Sequence, residues 1–127
     1  MTCSHIWSQS CAYNDANKRA FHHAAAKQLR QLAKALRLTP GSYDIRSNRG
    51  GPAVSGEIIL HHEQLYICVN QPPCGIAMGL LYRSCSGRRV STGGRNMMTS
   101  LLMLDDIPAL ARTIQRDVPL TPPHIQQ

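Results

Sequence analysis

Acidic side chains are scarce in this sequence. Seven Asp and Glu stand against fourteen Lys and Arg, for a formal charge of +7 and a pI near 9.6. A balance of that sign favours anionic partners, through long-range attraction and release of their counterions. Aromatic residues are equally thin, at 5% with one Trp and one Phe, so the core has to be built mostly from Leu, Ile, Val, Met and Ala. No apolar run approaches the roughly 20 residues of a membrane-spanning helix. The stretch Met1 to Trp7 has no basic segment followed by an apolar one, so no secretory signal is expected and a cytoplasmic location follows by default. There the five cysteines (Cys3, Cys11, Cys68, Cys74 and Cys85) are expected as reduced thiols, and their odd number argues against a closed disulfide framework. CxxC and HxxxH pairs are also missing. Cys3-x-His5 with Cys11 falls short of the four paired ligands of a structural zinc site, so neither a metal nor a cofactor is expected.

What is present fits one domain of 127 residues. Residues 1–14 show no periodicity and read as an irregular arm. Asp15 then offers a capping carboxylate to a helix over about Ala16 to Leu38. Phe21, Ala25, Leu29, Leu32 and Leu36 share its apolar face, and Thr39-Pro40-Gly41 stops it. The period then shortens. Tyr43 and Ile45 alternate with polar residues, and Val54–Leu60 and Leu65–Val69 flank a turn at His61-His62-Glu63-Gln64. Ile76, Met78, Leu80 and Tyr82 alternate again, and Val90-Ser91-Thr92 offers a last edge strand. A final helix follows Asp105 or Asp106, with Pro108 in its first turn and Ile107, Leu110, Ala111, Ile114 and Val118 as its stripe. Residues 119–127, rich in proline, read as a mobile tail outside a domain spanning 15–118. The predicted architecture is α+β: an antiparallel sheet of four to five strands, with an N-terminal and a C-terminal helix packed on one face as a two-layer sandwich.

The positive charge is clustered. Lys27, Arg30, Lys34 and Arg37 step by three, four and three, in a narrow sector opposite the leucine stripe. A helix that merely meets water normally mixes Glu among its lysines for i,i+4 support, and this one does not. A solvated face is the bland alternative. The second cluster runs from Tyr82 to Asn96, where Arg83, Arg88, Arg89 and Arg95 accompany three glycines and no acid. Glycines free backbone N–H groups for an anion and arginine forks match phosphate oxygens, yet the spacing is neither a P-loop nor a dinucleotide fingerprint. Arg46 and Arg49, beside Gly50-Gly51, extend either cluster. Whether the clusters share one face is left open by the sequence.

Catalytic readings are weaker. His61 or His62 at a turn offers a base and Cys85 a thiol nucleophile, with no third group marked to orient them. Met97, Met98 and Met103 form an apolar stretch that reads as core filler or as an adaptable partner surface.

The segment Leu38-Thr39-Pro40-Gly41-Ser42-Tyr43-Asp44-Ile45-Arg46-Ser47-Asn48-Arg49-Gly50-Gly51, with Ala53-Val54-Ser55-Gly56-Glu57, resembles a group of small hypothetical proteins of proteobacteria and their phages or plasmids. The resemblance extends through Leu65-Tyr66 and Tyr82 to Thr92-Gly93-Gly94-Arg95-Asn96. It brings no catalytic residue. It implies a protein of a mobile element that acts stoichiometrically, for instance by blocking a host defence complex such as a CRISPR effector. The expectation is therefore a non-enzymatic binding protein. Its partner is nucleic-acid backbone or a nucleoprotein complex, with a host protein as the alternative.

Overall fold

A computed structural model describes residues 4–51, 53–72, 75–87 and 94–120. The longest helix begins where a side chain replaces a missing backbone partner. Asn14, one residue ahead of the expected cap, accepts from the backbone N–H of Asn17, and α2 runs over Asp15–Ala35. Phe21, Ala25, Leu29 and Leu32 recur every three or four positions and are fully buried. The helix ends before the expected stop at Thr39-Pro40-Gly41. Arg37 adopts a left-handed conformation (φ 61°), and the N–H groups of Arg37 and Leu38 turn back to the carbonyls of Lys34 and Ala33. This is a Schellman closure, with buried Leu38 as its apolar seal.

Five strands follow: β1 Tyr43–Asn48, β2 Glu57–His62, β3 Leu65–Asn70, β4 Leu80–Ser84 and β5 Met97–Thr99. They lie in sequence order and every neighbouring pair is antiparallel. Register puts Ile45, Leu60, Ile67 and Tyr82 in one cross-strand row, and Ile58, Val69 and Leu80 in another. Both rows face the helices and join Leu110 and Ile114 of α3 (Ile107–Asp117) in the core. Asp106 caps α3 by accepting from the Ala109 N–H, and Pro108 sits in the first turn. The helices cover one face of the sheet, as the period changes along the sequence predict.

The amino-terminal segment departs from expectation. Ser4–Ser8 is a short helix, α1, and Trp7 and Cys11 are core residues rather than parts of an irregular arm. Trp7 meets Phe21 edge-on at 6.0 Å, and its Nε1 donates to Asp105 at 3.0 Å. Gln71 fastens the same segment, accepting from the Cys11 N–H and donating to the carbonyls of Trp7 and Gln9. The β2–β3 hairpin turns on Glu63 and Gln64 alone, so His61 and His62 belong to the strand. Ile76–Met78 forms a 3-10 turn instead of strand, and Met97–Thr99 is the edge strand. The Val90–Thr92 edge and the tail beyond residue 120 lie outside the described residues. No helix among the described residues is long and apolar enough to cross a membrane.

Candidate nucleic-acid interface

Burial divides α2 cleanly. Lys27, Arg30 and Lys34 are exposed, while Leu29, Leu32 and Ala33 are buried. Arg19 and His23 are also exposed, about two turns and one turn before Lys27 respectively. At about 100° per residue all five fall in a sector roughly 80° wide, and the ridge from Arg19 to Lys34 is ~22 Å long. Asp15, in the first turn, is the one carboxylate of the helix. None of Arg19, Lys27, Arg30 and Lys34 has an acidic partner among the described residues. Arg37 leaves this ridge. Its left-handed backbone breaks the helical spacing, although the side chain stays exposed.

Two further cations stand on the same layer. Arg112 and Arg116 occupy the exposed side of α3, opposite Leu110 and Ile114, and α3 packs beside α2. Arg116 is 72% exposed and pairs with Asp117 at 3.0 Å. Sequence reasoning passed over both arginines, because attention to the apolar stripe of α3 left its outer side unread. Their positions relative to Leu110 and Ile114 were the available signal.

The other predicted arginines lie elsewhere. Register puts Arg46 beside Ile59, and Asp44, His61, Tyr66 and Arg83 in a neighbouring row, all on the face of the sheet away from the helices. There the arginines serve as cover. Arg46 donates to His61 Nδ1 at 3.2 Å, the His61 and Tyr66 rings meet edge-on at 5.2 Å, and the Arg83 guanidinium sits 4.1 Å above the Tyr66 ring. That stacking is a cation–π contact. His61 is only 2% exposed on a face that no helix covers, so long side chains do the covering. Asp44 and Glu57 share this face, and its charge is balanced. Arg46 and Arg83 therefore stand on the opposite face of the sheet from the ridge of α2.

Arg49 lies beyond β1, next to a loop held by α2. Lys18 is 6% exposed, and its Nζ donates to the carbonyls of Arg49 (3.4 Å) and Gly51 (3.3 Å). One turn on, His22 Nε2 donates to the Ser55 carbonyl at 2.7 Å and Nδ1 accepts from the Ser47 hydroxyl at 2.6 Å. Burial lowers the His22 pKa below its ordinary value, and the charges of Arg49 and Lys18 push the same way. Arg95 precedes the edge strand, and Arg88 and Arg89 lie outside the described residues.

The residues considered for catalysis are turned apart. His61 faces the uncovered side of the sheet and His62 the core side, where its Nδ1 accepts from the Gln64 N–H. The Cys85 thiol has a single proton to donate, and the nearest acceptor is the His62 carbonyl at 3.0 Å. Burial pushes its pKa up, away from the thiolate a nucleophile needs. Burial and the Glu57 carboxylate together push Cys68 up to about 12. Among the described residues no three His, Cys, Asp or Glu side chains gather as metal ligands. No protein-family model, curated protein or solved structure matches the chain.

Proposed function

We propose that this protein binds nucleic-acid backbone through the outer side of its helical layer, without reading base sequence there. The observation that supports this is the ridge of Arg19, Lys27, Arg30 and Lys34, exposed along one side of α2 with no acidic partner among the described residues. Such a ridge is mildly self-repelling, so helix stability gives no reason for it. Phosphates spaced along a strand supply the missing counter-charge, and Arg112 beside the ridge widens the contact. The basic role expected of Arg46 and Arg83 is revised here to one of covering the sheet.

Anisotropy of labelled DNA and RNA oligonucleotides over a salt series tests the reading. Four phosphate contacts give a slope of log K against log salt near −3.6 on duplex DNA, at about 0.9 per contact. Replacing Lys27, Arg30 and Lys34 together by Ala takes about 2.7 off that slope and leaves the melting temperature unchanged. The pair Arg46→Ala/Arg83→Ala keeps the slope and lowers the melting temperature. Absent or salt-insensitive binding ends the proposal. A protein captured from nuclease-treated lysate would instead favour the inhibitor role that the mobile-element resemblance implies.

A further inference from the structure

At the end of the sheet nearest the start of α2 lies a groove of about 750 Å³. Its size falls within the usual range for small-molecule sites. A second recess of about 460 Å³ adjoins it and shares Tyr13, Gly50 and Ala53 as lining. Three features of the walls are chemically specific. Tyr13 is 84% exposed, a flat ring offered to solvent at the junction of the two hollows. Asn48, Glu57 and Asn70 come from three adjacent strands, and register places them in one row across the sheet end. In the smaller recess stand Arg49, Gly50, Gly51 and the ammonium of Lys18. Lys18 spends two of its three N–H donors on carbonyls and has one left. Asp15 lines the same recess and offsets part of the charge.

The backbone around the groove is held away from ordinary geometry. Ala53, which is not a glycine, has φ 68°, and Gly56 at φ +74° lies so close to β1 that a Cβ would stand 2.3 Å from the Asn48 carbonyl oxygen. Such conformations cost free energy and recur where a loop is shaped for a ligand.

We propose that this groove binds one purine nucleotide, with guanine as the preferred base. The Tyr13 ring stacks on the base. The Cys68 thiol donates to Glu57 Oε2 at 3.4 Å, and the acceptor sites left on the carboxylate favour a base edge with two neighbouring N–H groups, which guanine alone of the four offers. Asn70, both donor and acceptor, completes the edge together with the Asn48 amide N–H groups, the Asn48 Oδ1 already accepting from the Gly50 N–H at 3.0 Å. The phosphate takes the Arg49 and Lys18 end, beside the backbone of Gly50 and Gly51. The site stands on its own chemistry and does not depend on the α2 ridge.

Calorimetric titration of the full chain with GMP, AMP, CMP and UMP tests it, with guanosine and inorganic phosphate as separate arms. GMP is expected to bind most tightly, and more tightly than guanosine or phosphate alone. Tyr13→Ala weakens GMP by on the order of 10- to 100-fold, the usual worth of a stacked base. Glu57→Gln removes the preference for GMP over AMP while AMP still binds. The Lys27/Arg30/Lys34 triple alanine variant leaves GMP affinity unchanged, so failure here and failure of the ridge are separate results. No heat with millimolar GMP, equal affinity for the four nucleotides, or a Tyr13→Ala variant that binds GMP as well as the parent overturns the proposal. Tyr13 is exposed, so loss of the fold does not explain a loss of binding in that variant.

Discussion

The two sides of α2 use the same residue types for opposite ends. Lys18 and Arg19 are neighbours in sequence, as are His22 and His23, yet one of each pair is buried and the other exposed. On the outer side, Arg19, His23, Lys27, Arg30 and Lys34 form a ridge in water. On the inner side, Lys18 and His22 hold the loop between β1 and β2 by three hydrogen bonds to carbonyls, from Arg49 to Ser55. Counting charge along a helix is therefore a poor guide to what the charge does. The inner cation Lys18 finds its partners in the dipoles of backbone carbonyls. Along the outer side of α2, Arg19, Lys27, Arg30 and Lys34 have no acidic partner among the described residues, and their charge is left over for another molecule.

The contrast can be broken most easily at its inner side. Lys18→Ala removes both bonds to the loop and is expected to cost about 1–3 kcal/mol, whereas Lys27→Ala stays within about 0.5 kcal/mol. Urea midpoints for the two variants make the comparison, and equal shifts would mean that the two sides are not distinct.

Acid probes the same clamp through His22. Its folded pKa lies below the ordinary 6.5, so the unfolded chain binds the proton more readily. The stability it contributes is complete above pH 6.5 and is lost as pH falls through the lowered value. A His22→Asn variant should flatten that part of a stability–pH curve.

The smallest effect is expected where the ridge stops. Arg37 sits at φ 61°, a conformation that glycine adopts without strain. Arg37→Gly should raise stability by about 0.5–1 kcal/mol. It should also cost little nucleic-acid affinity, because Arg37 is out of line with Lys34. A large loss of affinity would put Arg37 back into the interface.

Much of this architecture is legible in the sequence. The four-three-four spacing of Ala25, Leu29, Leu32 and Leu36 identifies α2 and its outer side, and alternation identifies β1 and the β2–β3 hairpin. What escapes local reading is settled by partners far along the chain. Trp7 belongs to the core because Phe21 and Asp105 receive it, and nothing within residues 1–14 carries that information. Ile76 and Met78 keep the alternation of a strand, but a Cβ on Gly79 would meet both Leu101 and the Asn70 carbonyl, and the chain turns there before β4 begins. The fate of the arginines is hidden in the same way. Arg83 looks like a phosphate ligand in sequence because its partner Tyr66 lies seventeen positions away, across the β3–β4 pairing. The nucleotide groove is less legible still. Asn48, Glu57 and Asn70 are unremarkable one by one and become a set only through register.

The indole of Trp7 has a practical consequence. It is the sole tryptophan, it is shut away from solvent, and its N–H ties together positions 98 residues apart. One emission spectrum thus reports whether the amino-terminal helix is seated on the body of the protein. Clipping the chain ahead of Asp15 would both silence that reporter and open a hollow beside Phe21, so any shortened version is a different folding problem and not a trimmed copy of the same one.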